Sequence, residues 1–319
     1  MNHQIEALEA RRLLATLTIE GSNDATKPDN ITVKLLSNGN TQVVNGGAAA
    51  IKVNGSSVNP GGTNSKPNID KVDVKLLAGN DKFTTDGNVN AKITVAGGSG
   101  NDSITGSKSA DVLRGEDGND TLSGASGTDS LDGGNGNDTL IGGEGNDTLI
   151  GGADADDFRG GGGIDVADFT TRSDNLVITL EDVANDGGGA RTDNVRSDVE
   201  IVLGGAGNDS ITGNNAANSL NGGAGNDTLV GLGGSDVLGE LLGVLAFDYP
   251  ELGDDRIFGG SGNDTLTGGS GIDLLDGQDG NDTIFANDGA KDTVLGGSGT
   301  DSVKRDTVDA LTSIEVVLP

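Results

Sequence analysis

The sequence predicts an all-β chain wound into one elongated solenoid of short, stacked coils. Three observations predict it. Between residues 97 and 304 a nine-residue phrase recurs, Gly-Gly-x-Gly-Asn-Asp-x-Leu-x, with clean copies at 97–105, 133–141, 142–150, 222–230 and 259–267. In each copy position 8 is apolar and positions 7 and 9 are mostly polar. That is the period-two pattern of a very short strand with one side chain turned inward. Composition supplies little else to bury: 57 of 319 residues are Gly, aromatics are 2%, Cys is absent and the formal net charge is −30.

Six residues of each repeat turn and three run straight, so two repeats make one coil of eighteen. Stacked coils rise by roughly 4.8 Å, the ordinary strand spacing. Glycines at positions 1, 2 and 4 allow positive φ and let neighbouring turns approach closely. The Asp at position 6 is a hard oxygen ligand. Stacking brings these carboxylates into line, and two of them about 4.8 Å apart repel by roughly 1–3.5 kcal/mol. One buried Leu or Ile per nine residues does not offset that repulsion and the ordering of the turns. A divalent cation between the turns would remove the repulsion and supply the missing stabilisation.

On these residues the repeat resembles the RTX, or haemolysin-type, calcium-binding nonapeptide repeat. The resemblance implies a parallel β-roll, a right-handed β-solenoid holding multiple Ca²⁺ ions. Each ion would sit between two turns one coil apart, held by position-6 carboxylates and by carbonyls of the Gly-rich turns. Carried onto this sequence, the carboxylates of the first array are Asp102, Asp111, Asp120, Asp129, Asp138, Asp147, Asp156 and Asp165. The second array contributes Asp209, Asp227, Asp236, Asp255, Asp264, Asp273, Asp282, Asp292 and Asp301. The glycines singled out with them are Gly97, Gly133, Gly142, Gly222 and Gly259. Sharing pairs would include Asp102 with Asp120, Asp120 with Asp138, and Asp129 with Asp147. A flexible set of about six oxygens suits calcium better than magnesium.

The elements follow in order. Residues 1–15 have helix-forming composition and read as a short cap on the solenoid or as a targeting segment. LEARRLLA within them resembles the LEPR-type motif of some large bacterial surface and repeat proteins, with Ala10 in place of proline. Glu6, Glu9, Arg11 and Arg12 interrupt any signal-peptide apolar region. Residues 16–95 read as degenerate coils continuous with the roll, with strands near 17–20, 31–36, 41–45, 50–55, 71–77 and 92–97 and a Gly-, Asn- and Pro-rich loop at 59–68. Decayed repeats show at Asp29-Asn30-Ile31 and Gly79-Asn80-Asp81.

The first array spans 96–168. In it 106–114 lacks glycine at positions 2 and 4, and Asp154 stands where glycine is expected in 151–159. Residues 169–203 break the period and predict two longer strands, 176–182 and 199–205, as a spacer like those between RTX blocks. The second array covers 204–304. It carries neutral Asn218 at one position 6 and an insertion at 239–252 containing Phe247 and Tyr249. The insertion reads either as a segment folded back on the roll or as an exposed apolar docking patch. Residues 305–319 predict a closing strand.

Several functions are excluded by residue type. The only histidine is His3, so HExxH is impossible, and no G-x-S-x-G or Cys nucleophile exists. Acidity leaves no nucleic-acid footprint. No run of eighteen apolar residues provides a transmembrane segment. The reading is therefore a non-enzymatic, calcium-binding, secreted or cell-surface bacterial repeat protein. Its role would be structural or adhesive, with calcium and cell-surface or matrix components as partners and type I secretion as the route. The alternative is a calcium-dependent secretion or carrier module of an exported enzyme or toxin system.

Overall fold

In a computed structural model, the structure describes residues 16–21, 24, 26–35, 40–46, 51–53, 56–58, 63–67, 69–188, 192–239 and 253–318. The segment 1–15, read as cap or address, and nearly all of the insertion lie outside these residues. Among the described residues every regular element is a β-strand, and the parallel strands stack as a β-solenoid of about 13 turns.

The eighteen-residue coil sets the register. Thr121, Leu122 and Ser123 pair with Thr139, Leu140 and Ile141, each eighteen residues on. Position-8 side chains therefore superpose along the axis. Leu113, Leu122, Leu131, Leu140, Leu149 and Phe158 are all fully buried in one continuous core. Their neighbours at positions 7 and 9 are half-buried or exposed, as alternation requires. The strands outrun the three residues predicted. Pairing skips position 1 and resumes at positions 2 and 3, as in Ala125 with Gly143 and Ser126 with Glu144.

Three sheets result. One of 16 strands runs the length of the solenoid; its opposite side is covered first by a 9-stranded sheet and then by a 7-stranded one. At the N-terminal end Thr16–Glu20, Lys71–Ala78 and Lys92–Ser99 stack in parallel on the long sheet. Two departures from the expected plain coils occur here. Ile51–Val53 and Ser56–Val58 add to one sheet antiparallel, and Asn40–Asn45 and Thr63–Pro67 add to the other. The 59–68 loop is thus partly a strand. Pro67 is tolerated because Thr63–Pro67 is an edge strand, where a missing N–H breaks no central ladder.

The spacer is also shorter in strand than its sequence suggests. Of the two long strands expected, only Val177–Thr179 and Ile201–Leu203 are extended. Val166–Asp168 pairs directly with Ile201–Leu203, so the long sheet crosses the spacer uninterrupted. On the other side Asn194–Val195 closes the 9-stranded sheet and Val177–Thr179 opens the 7-stranded one. Antiparallel bridges from Val177 to Gly187 and from Asp186 to Asp193 join them. Backbone groups left by the broken period are paired locally here, which keeps each strand to a few residues.

Around the insertion, Thr228–Gly233 pairs with Arg256–Ser261, and Val237–Gly239 pairs with Thr265–Thr267, a step of 28 residues with no loss of register. The closing segment is two short strands, not one. Ala310–Thr312 adds to the 7-stranded sheet and Val316–Val317 to the long sheet.

Glycine is needed at position 4 for two reasons at once. Gly145 has φ 128°, and a β-carbon there would strike the carbonyl of Gly127 one coil back. Gly87 has φ 72° with open space around it. Gly145→Ala is expected to destabilise the solenoid by about 2–5 kcal/mol, strain and overlap combined, and Gly87→Ala by about 1–2 kcal/mol. Urea unfolding in excess calcium measures both; equal effects would contradict the close approach.

Candidate metal centre

Each position-6 aspartate ends its turn just before a strand, where one backbone N–H has no partner in the parallel ladder. The side chain one coil on supplies it. The N–H of Asp102 donates to Asp120 Oδ1 and that of Asp120 to Asp138 Oδ1, both at 2.7 Å. Asp129 N–H donates to Asp147 Oδ1 at 2.8 Å. The pairs named from the sequence are thus consecutive members of two longitudinal carboxylate ladders.

On the long-sheet side the ladder runs through Asp111, Asp129, Asp147 and Asp165 and ends on Glu200 Oε2. It resumes from Asn218 through Asp236, Asp264, Asp282 and Asp301 to Glu315 Oε2. On the other side it runs from Asp29 through Asp81, Asp102, Asp120, Asp138 and Asp156 to Asp193. It then runs from Asp209 through Asp227, Asp255, Asp273 and Asp292 to Asp309.

All seventeen aspartates predicted from the sequence lie on these ladders, at most 3% exposed. Asp29 and Asp81 belong to them as well, as the decayed repeats hinted. Glu200, Glu315, Asp193 and Asp309 close the rows from off-period positions, so no spacing could have marked them.

The second carboxylate oxygen is the telling one. Oδ2 of Asp102, Asp120, Asp138, Asp227, Asp264 and most of the others is buried without a hydrogen-bond partner. It lies against the glycine at position 1 of its own turn. A β-carbon on Gly142 would sit 2.5 Å from Asp147 Oδ2 and 2.6 Å from the carbonyl oxygen of Gly160, one coil on. On Gly259 it would meet Asp264 Oδ2 at 2.5 Å and the Gly277 carbonyl at 2.6 Å. Position 1 is therefore glycine for space. In the regular repeats positive φ falls at positions 2 and 4, as in Gly98 and Gly100, and is not adopted by the position-1 glycines Gly97, Gly133, Gly142, Gly222 or Gly259. Of the two freedoms that glycine offers, position 1 uses the close approach and not the left-handed backbone. The carbonyls of Gly133 and Gly142 face the slots that hold Asp120 and Asp129 Oδ2, and the Gly97 slot admits Asp102 Oδ2.

These are buried, hard oxygens from carboxylate and carbonyl groups. Among the described residues no three His, Cys, Asp or Glu side chains converge on one point. An ion held here must therefore draw on carbonyl oxygens, a donor set that fits calcium. Electrostatics agree. Burial, reinforced by neighbouring carboxylates, pushes Asp102, Asp129, Asp138 and Asp165 up to about 7 and Asp156 to about 8, against the opposing effect of the backbone N–H each accepts. In the second array Asp227 and Asp273 rise to about 7 and Asp282 to about 6.

A further row runs along the outside of the turns. The Asn at position 5 is exposed, and its Oδ1 accepts the N–H of the residue one coil on. Asn101 serves Asn119, and Asn119 serves Asn137, at 3.0 and 2.9 Å. The recurring Gly-Asn-Asp carried that signal: Asn pins the outside of the turn while Asp faces in.

The model of the RTX calcium-binding nonapeptide repeat (4 copies) matches residues 96–131, 132–167, 203–238, 251–275 and 267–303, together half of the chain. Comparison with curated proteins gives no match.

The raised carboxylates set a pH dependence in the absence of metal. The folded state binds protons that the unfolded chain releases near 3.8, so its stability falls as pH rises from about 4 to about 7. In chelator, β-sheet circular dichroism should strengthen as pH is lowered from 8 to 5. A signal that weakens over that interval would contradict the burial of these groups.

Proposed function

Since the chain belongs to the RTX calcium-binding nonapeptide repeat family, we propose that it is a secreted or cell-surface calcium-binding repeat protein. Its solenoid orders as calcium binds and then serves a structural or adhesive role. The observation that carries this reading is the row of buried, unpartnered Oδ2 atoms, which at Asp102, Asp120, Asp129, Asp138, Asp147, Asp236, Asp264 and Asp282 share their slot with a glycine carbonyl of the next coil.

Position-6 aspartates and Gly-rich-turn carbonyls would hold the metal, and calcium when bound supplies the positive charge that the stacked carboxylates lack. The chain's own residues do the rest. Oδ1 orients each carboxyl through the N–H of the coil before. The position-1 glycine keeps the slot open. The position-8 residue anchors the turn to the core. A site needs two coils, so filling one favours its neighbours. The repeat solenoid is a structural fold, and the proposed role is scaffold or adhesion rather than catalysis. No helix among the described residues is long and apolar enough to cross a membrane.

Calcium titration followed by circular dichroism and sedimentation should show a transition from expanded to compact. A compact, protease-resistant β protein in excess chelator would refute coupled folding. Asp138→Ala, in the cleanest run, should lower calcium affinity cooperatively across adjacent coils, whereas Asn218→Ala should change it little.

The same energetics accord with secretion: low cytosolic calcium would leave the chain open for passage, and external calcium would then drive folding. Deleting 306–319 should abolish appearance in the medium if a type I channel reads the C-terminus. Undiminished export, lost only on deleting 1–15, would assign the address to the N-terminal motif.

A further inference from the structure

Among the described residues, three turns are built differently from those that surround them. In them the N–H of position 2 donates to the position-6 side chain of the same turn: Ser107 to Asp111 Oδ2 at 2.5 Å, Gly205 to Asp209 Oδ2 at 3.0 Å, and Asn214 to Asn218 Oδ1 at 2.8 Å. The oxygen left unpartnered in the open turns is satisfied here by the chain itself, and Asp111 and Asp209 hold no unpartnered oxygen. The backbone differs with it. Position 2 is left-handed in the open turns, even where it is Glu116, Ala125, Leu232 or Gln278, and residues 107, 205 and 214 are not. A left-handed non-glycine residue costs about 1–2 kcal/mol, so the open form is imposed by the stack and not by glycine alone.

Ser107 and Asn214 lie in repeats that lack glycine at positions 2 and 4. The turn ending at Asp209 has a full Gly-Gly-Ala-Gly-Asn-Asp sequence and is closed nonetheless. Its surroundings explain this. Ala206 N–H donates to the carbonyl of Arg172 at 2.9 Å, and a β-carbon on Gly205 would strike that same carbonyl. The Arg172 guanidinium, 8% exposed, pairs with Asp174 at 2.9 Å and Asp193 at 3.5 Å. Asp193 ends one carboxylate ladder and Asp209 begins the next. The positive charge at this break is a side chain.

We propose that the coil carrying Asp209 and Asn218 takes no calcium, and that Arg172 is the resident cation of a metal-free joint dividing the solenoid into two calcium-loaded arrays. This rests on the calcium-binding reading above and goes beyond it. The perfect repeat at 204–209 is a structural turn, while the less perfect one at 115–120 is a site.

The test counts calcium per chain after equilibrium dialysis of the full-length protein. Asp209→Ala should keep the wild-type count, and Asp227→Ala, one coil on in the same ladder, should lower it. Equal losses would overturn the inference. Asp209→Ala can disturb folding, so Asn218→Asp is counted too. It keeps the side-chain volume and adds the charge, and an unchanged count supports the closed turn while a gain overturns it. Arg172→Met should raise amide exchange across 169–218 in saturating calcium and leave 115–150 protected. Unchanged exchange at the joint would overturn the role of Arg172. A wild-type chain that binds no calcium at all would overturn the calcium-binding reading itself, a result distinct from these.

Discussion

Every feature of this solenoid answers to one constraint: buried carboxylates stacked at the pitch of a β-ladder. An eighteen-residue coil places Asp102, Asp120 and Asp138 in one line with almost no access to water. In that line each charge faces another of the same sign at strand spacing, in surroundings that screen poorly. The chain ties down one oxygen of each carboxyl with a backbone N–H. The other oxygen needs a proton or a cation. Glycine at position 1, left-handed backbone at positions 2 and 4, and a narrow core of single Leu and Ile residues are consequences of keeping that line straight.

The aspartate rows also explain why so thin a core suffices. A fully buried Leu contributes roughly 1.5–3 kcal/mol, and each half-coil has about one. Cohesion along the axis is polar to an unusual degree: backbone ladders, aspartate Oδ1 bonds and the outer asparagine row all run between coils. Such a molecule holds together coil to coil, so its stability is a property of neighbours.

Much of this was legible in the sequence, for a physical reason. A period of nine leaves each position one structural duty, so the inward Leu131 and Leu149 and the ladder members Asp129 and Asp147 could be read by counting. Counting failed where duty and period part. Glu200 and Glu315 cap the aspartate rows from outside the repeat. Gly133 and Gly142 are small because a neighbour's oxygens crowd them, a contact that no propensity encodes. Asp209 shows the reverse failure: its repeat is complete, yet a carbonyl thirty-odd residues back decides how its turn folds. The antiparallel strand Thr63–Pro67 escaped because Gly, Asn and Pro mark a loop unless an edge is free to receive it.

The two faces of the solenoid differ in continuity. One is a single sheet of 16 strands, and the other is two sheets which, among the described residues, two isolated bridges join at the spacer. Backbone hydrogen bonding between coils therefore runs unbroken along one face and changes hands on the other. Beside that change of sheet the buried Arg172 pairs with Asp174 and Asp193, so side-chain charge and the shared core carry the coils across where the ladder does not.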